Sequence, residues 1–109
     1  MTVPDRGDLV VVDFDPSAGH EQAKRRPGLV LSRRSFNRTF GLAFIAPITT
    51  KPKGHALEIP LPAGLRVTGS VLVHHSKSFD WRARRTYIAD KVPDAVVDVA
   101  ADLLMRIVG

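Results

Sequence analysis

Residues Gly19 to Pro27 read G-H-E-Q-A-K-R-R-P and gather a histidine, a carboxylate and three cations into one short stretch. Chemistry on phosphate esters needs that set. His20 or Glu21 can accept a proton from a hydroxyl, while Lys24, Arg25 and Arg26 supply fixed positive charge for phosphate oxygens. A solvated loop has the same composition, so its setting decides. Asp8 to Asp15 (D-L-V-V-V-D-F-D) is rich in β-branched and aromatic residues and closes at Pro16, which has no ladder donor; Pro27 to Ser32 (P-G-L-V-L-S) reads as a second strand. The charged turn is expected to join these two strands and be held by both.

The elements that must position this turn are mostly short strands. Phe36 to Phe40 is a polar connector with room for one helical turn, and the apolar run Gly41 to Ile48 reads as a buried strand. Lys51 to Gly54 (K-P-K-G) is a turn by composition, His55 to Ile59 alternates as a half-exposed strand does, and Pro60 to Gly64 breaks it. Thr68 to His74 is a further strand, Ser76 to Asp80 continues past a bend, and Arg85 to Asp90 is another short one. The last segment changes period. Val96, Val99, Ala100, Leu103 and Ile107 recur at helical spacing, behind Pro93 and Asp94 at a start that suits both. Six or seven short strands and one terminal helix predict a mainly β fold: a small, SH3-like, strongly curved β-barrel with a C-terminal α-helix, in one domain spanning residues 1–109.

A hydrophobic content of 44% fits a globular protein, and no apolar run approaches the ~20 residues that cross a bilayer. The N-terminal M-T-V-P-D-R-G-D carries two acids and no apolar core, so it is not read as a signal peptide, and a cytoplasmic location without membrane contact is expected. Zero cysteines exclude disulfides and thiolate chemistry. Charge is unevenly distributed: His20 to Lys91 holds fourteen Lys and Arg against four acids, a net +10, whereas the two ends together carry −5. The middle of the chain is the part suited to a polyanion, either nucleic acid or an acidic protein. The four histidines give no metal-ligand spacing. His74 and His75, adjacent on an expected strand, point to opposite faces, and no H-x-x-x-H pattern exists, so neither metal nor cofactor is expected.

Several separated motifs occur together: D-F-D-P, G-H-E-Q and R-P, then F-N-R at Phe36 to Arg38, P-I-T-T at Pro47 to Thr50 and W-R-A-R at Trp81 to Arg84. With these the chain resembles, nearly end to end, the MazF/PemK (Kid) toxins of bacterial toxin-antitoxin systems. The resemblance implies a homodimer that cuts single-stranded RNA without a metal, leaving 2′,3′-cyclic phosphate and 5′-hydroxyl ends, and that a cognate acidic antitoxin of the MazE/PemI kind neutralises. It places Arg26 at the family's catalytic arginine and Thr49 at its catalytic threonine. Arg26 suits electrostatic stabilisation, since a guanidinium stays charged and grips phosphate bidentately, and Thr49 can donate its hydroxyl to a phosphate oxygen. A strand-end threonine can also simply satisfy local backbone. Glu21 falls at the family's glutamate, either a general base or a partner that orients Arg26.

One departure stands out: His74 and His75 occupy the family's Asp-Gln pair, and Leu72 stands where the Kid branch has an arginine. Those two assignments do not carry over. His74 is expected to take over proton transfer or base recognition, its ordinary pKa near 6.5 suiting acid-base work. The RNA-contacting set is then His20, Lys24, Arg25, Thr50, Lys51, Lys53, His75, Lys77, Arg82 and Arg84, with Arg85 beside them. Trp81, among these cations, is either a stacking face for a base or a core or interface plug. The competing readings are a CcdB-like toxin that poisons DNA gyrase by contact and a family member that binds RNA without cutting it.

Overall fold

Among the residues that the computed structural model describes, 2–13 and 25–109, seven strands, one 3₁₀ turn and two helices follow one another. They are β1 (Asp8–Asp13), β2 (Arg25–Val30), α1 (Arg34–Phe40), β3 (Ala43–Thr49), β4 (Glu58–Pro60), β5 (Ser70–Leu72), the 3₁₀ turn Val73–His75, β6 (Lys77–Phe79), β7 (Tyr87–Lys91) and α2 (Asp94–Val108). The strands form one antiparallel sheet in the order β4-β5-β3-β2-β1-β7, with β6 also on β3. The fold is mainly β with a C-terminal helix, as expected, but the sheet stays open between β4 and β7 and does not close into a barrel.

The central strands are apolar throughout because both faces of the sheet are covered. Leu9, Leu29, Ala46 and Ile48 pack on one face with Val71, Val73, Val97 and Ala100, under α2. Val10, Val12, Val30 and Ile45 pack on the other with Phe79 and Trp81. Trp81 is a core residue, 2% exposed, and its Nε1–H donates to the Asn37 carbonyl at 3.0 Å. Its ring is not a platform for bases.

Two prolines shape the sheet. Leu31 N–H bonds to Phe44 O at 2.8 Å, so on the β2–β3 border the hydrogen-bonded pairs are Leu31/Phe44, Leu29/Ala46 and, next in register, Pro27/Ile48. Pro27 has no N–H to give, and the recorded ladder ends one pair earlier, at Gly28/Pro47. Pro47 turns its own missing donor to the other edge of β3, where partnership passes from β6 (Ile45/Lys77) to β5 (Ile48/Val71). The sheet loses no bond there.

Several expected boundaries move. β2 begins at Arg25 rather than Pro27, the residues from His55 to Leu57 are not strand, and the last strand starts at Tyr87 because Arg85 adopts φ 52°. His74 and His75 lie in the 3₁₀ turn, not on a strand. Val73 N–H donates to Leu57 O and the Ser76 hydroxyl to Val73 O, which bends the chain before the histidines. On α2 the buried face is Val97 and Ala100 flanked by Val96, Leu103 and Leu104, so the expected stripe is rotated: Val99 (51%) and Ile107 (47%) are exposed.

Candidate active site

Arg26 and Thr49 lie just past the end of the β2–β3 ladder, whose last pair is Gly28/Pro47. Carrying the β2–β3 pairing two residues beyond Gly28/Pro47 sets Arg26 opposite Thr49, where a continued ladder would bring the two Cβ atoms to ~5 Å on one face. The Pro27 gap leaves that end of the sheet unzipped. On the far side of Thr49 its strand partner is Ser70, and Leu72 pairs with Glu58, so Thr49, Ser70, Leu72 and Glu58 share one face of β3, β5 and β4. A cleft of ≈ 190 Å³ opens there, lined by Thr49, Lys51, Lys53, His55, Glu58, Leu72, His74 and His75.

Thr49 does both things its sequence position allows. Its Oγ1 accepts the Lys51 N–H at 3.0 Å, fixing the start of the lysine turn, and its hydroxyl proton remains available to donate. Glu58 holds the rest of that turn: its carboxylate accepts Lys53 N–H at 2.9 and 3.1 Å and Gly54 N–H at 2.7 Å, with only 5% of the side chain exposed. Desolvation pulls the Glu58 carboxyl upward, but these two N–H groups and the charges of His55 and His74 outweigh it and hold it below its usual range. Leu57 N–H donates to His55 Nδ1 at 3.3 Å, so the His55 proton sits on Nε2, 3.4 Å from Glu58 Oε2.

Three imidazoles line up behind this pair. His55 and His74 meet edge to face with centroids 4.9 Å apart, and His74 and His75 do so at 4.4 Å. The expectation that the adjacent histidines face apart is thereby overturned, by the bend into the 3₁₀ turn. Desolvation first, then neighbouring His75 and His55, lower the His74 pKa against the opposing pull of Glu58. At neutral pH His74 is therefore a proton acceptor. Among the described residues no group of three or more His, Asp or Glu is arranged to hold a metal ion.

The cations divide into free and committed groups. Arg25 Nη1 pairs with Asp13 Oδ1 at 2.7 Å and its Nη2 donates to Arg85 O at 2.9 Å; Arg84 Nη1 donates to Asp13 O at 2.7 Å, its guanidinium 5.2 Å from the Phe79 ring. Arg25 and Arg84 thus fasten the root of the β1–β2 connection. Lys51 and Lys53 line the cleft with exposed side chains, Thr50 is exposed between Thr49 and Lys51, and Lys77 and Arg82 lie over Phe79 and Trp81 with exposed side chains. His20, Glu21 and Lys24 lie outside the described residues. Sequence reasoning passed over Glu58 and His55 as working groups; their only signal is an H-x-x-E spacing.

Residues 5–108 match the model of the PemK-like, MazF-like toxins of type II toxin-antitoxin systems. The endoribonuclease toxin MazF of Escherichia coli K12 is 46% identical over 82 residues, 75% of this chain and 73% of that protein. The endoribonuclease toxin ChpB of the same strain is 37% identical over 109 residues, 94% of this chain and 90% of ChpB. A crystal structure of a MazE–MazF complex from Deinococcus radiodurans superposes with a TM-score of 0.92 at 43% identity, covering 100% of this chain and 98% of that one.

Proposed function

The chain belongs to the PemK-like, MazF-like toxin family, and from that premise we propose that it is the toxin of a type II toxin-antitoxin pair, an endoribonuclease that cleaves single-stranded RNA selectively without a metal. The observation that carries this reading is the cleft of lysines and histidines lined by Thr49, toward which the β2–β3 register, carried two residues past Gly28/Pro47, would bring Arg26. In such a reaction the ribose 2′-hydroxyl attacks the adjacent phosphorus, so the protein supplies only proton transfer and charge stabilisation. Arg26 neutralises the charge gathering on the phosphate oxygens, and Thr49 donates its hydroxyl to one of them. His74, held neutral, accepts the 2′-hydroxyl proton, with Glu21 and His20 as the other acceptors the sequence offers. The 5′ oxygen leaves and takes up a proton, and the products are a 2′,3′-cyclic phosphate and a 5′-hydroxyl end.

The partners follow from the same chemistry. An acidic antitoxin laid across the basic middle of the chain would occupy the phosphate positions, and the similar MazF of Deinococcus radiodurans has been solved together with MazE. A homodimer working in the cytoplasm is what the family implies; among the described residues no helix is long and apolar enough to cross a membrane. The test is incubation with a long single-stranded RNA in excess EDTA beside Arg26→Ala. Discrete cuts with cyclic-phosphate ends, reduced ~10²-fold or more in the variant, are expected. Binding without cleavage would instead make the protein an RNA-binding or contact-acting toxin.

A further inference from the structure

We propose that Glu58 and His55 are positioning residues for His74 in RNA cleavage: the Glu58 carboxylate fixes His55, and His55 fixes the His74 ring by edge-to-face contact. The inference rests on the reading of this cleft as an RNA-cleaving site and names which of its groups govern the histidine.

The geometry is that of a relay. Glu58 is the most enclosed acid of the cleft and is itself immobilised by two backbone N–H groups, so it presents Oε2 to His55 from a fixed direction. His55 is bonded at its second nitrogen by Leu57 N–H, so both ring nitrogens face a fixed partner. The His74 ring, with its own neighbour His75 across it, is clasped between two imidazoles. A carboxylate that orients a histidine through its N–H is a common way to fix tautomer and basicity. Here the orienting effect reaches the third ring by contact rather than through a hydrogen bond.

The charges bearing on His74 come from every element packed around the 3₁₀ turn. His75 lies within the turn, His55 and Glu58 come from the segment entering β4, and Lys51 and Lys53 from the end of β3. α2 contributes Asp102 and Arg106, which face Glu58 in the adjoining cleft with Ile59 and Val99. Of these, Glu58 raises the proton affinity of His74, and His55 and His75 lower it. Opposite substitutions must therefore act in opposite directions.

The experiment compares wild type, Glu58→Gln and His55→Ala by NMR titration of the His74 ring and by the pH dependence of RNA cleavage, with His74→Ala as background control. Glutamine keeps an oxygen for the Lys53 and Gly54 N–H groups, so the turn retains its anchor. Glu58→Gln is expected to move the His74 titration, and the limb of the cleavage profile that follows it, to lower pH; His55→Ala moves both to higher pH. In the His74→Ala background neither change shifts the limb. A uniform loss of rate at all pH values, with the His74 titration unmoved, would mean that Glu58 only holds the turn and would overturn the proposal. A titration that moves while the cleavage limb stays put would overturn the role in the reaction, with Arg26-dependent cleavage left standing. Absence of RNA cleavage by the wild type is the separate signature of a failed functional reading.

Discussion

Gly69 sits where a single methyl group tests the link between the fold and the site. Its φ is +127°, and a Cβ there would overlap the Thr49 carbonyl oxygen while coming within 3.0 Å of the carbonyl carbon and 3.1 Å of Ile48 Cγ2. Backbone cannot yield as the end of a flexible side chain does. An L residue at such a φ costs about 1–3 kcal/mol, and forcing atoms into an occupied space adds about 1–3 kcal/mol more. Gly69→Ala should therefore destabilise by about 2–6 kcal/mol, a fall in Tm of ~10 °C or more in a chain of this length. The overlap is with Thr49 itself, so relief requires moving that residue relative to Arg26. A misplacement of ~1 Å is enough to lower cleavage ~10²-fold.

Gly64 supplies the control. Its φ is +93°, yet nothing lies within 4 Å of where its Cβ would be, so Gly64→Ala meets the backbone strain without the overlap. Thermal unfolding by circular dichroism and single-turnover RNA cleavage, run on both variants, separate the two contributions. Gly69→Ala is expected to melt at least ~4 °C below Gly64→Ala, and only the former to lose activity. Equal melting of the two, with wild-type cleavage by Gly69→Ala, would refute the reasoning.

Three further outcomes are expected. Asn37 is fully buried, its amide donating to Pro4 O and Ser32 O and accepting the Ser32 hydroxyl, so Asn37→Ala should destabilise by about 2–4 kcal/mol in urea unfolding, and a loss below ~1 kcal/mol would show that water replaces those bonds. If Lys51 and Lys53 each neutralise one phosphate, their joint replacement by alanine should make the slope of log K against log salt shallower by ~1.4 for single-stranded RNA; an unchanged slope removes them from the interface. Asp5, Glu58 and Asp90 all titrate below their ordinary values, the first two against the upward pull of desolvation and Asp90 chiefly through the N–H of Arg66, so the folded state binds fewer protons than the unfolded one. Their stabilisation is complete above the unfolded values near pH 4 and is lost as pH falls through the lower folded values; a denaturation midpoint flat from pH 6 to pH 3 would contradict this.

What was legible in the sequence was whatever one strand or helix could declare alone. β1 and β3 announced themselves because a strand covered on both faces is an unbroken apolar run, and α2 because its period is helical. The face that α2 buries was not legible. Val99 and Ile107 extend its apolar surface past the stripe that meets the sheet, and periodicity cannot say which edge of a wide stripe is covered. The bend at Val73 was hidden for a different reason: V-L-V-H-H has strand composition, and the bond that turns it comes from Leu57, sixteen residues away. Trp81 stood among cations as a base-stacking residue would, but its partner is the carbonyl of Asn37, which only the fold brings near.

The two neighbouring arginines show how register turns composition into function. In sequence Arg25 and Arg26 are equivalent members of one charge cluster; on a strand they must face opposite ways. Pairing with Asp13 puts Arg25 beside a carboxylate that is 20% exposed, and the ion pair, with Arg84 bound to the same residue, locks the position of the strand end. Among the described residues no carboxylate pairs with Arg26, because its strand partner on β1 is the buried Val12. Asp13 thus neutralises Arg25, while the exposed Arg26 pairs across β1 with Val12 and not with Asp13. A one-residue slip of β2 would exchange the two, placing Arg26 in the salt bridge and freeing Arg25, so the role proposed for Arg26 depends on this register.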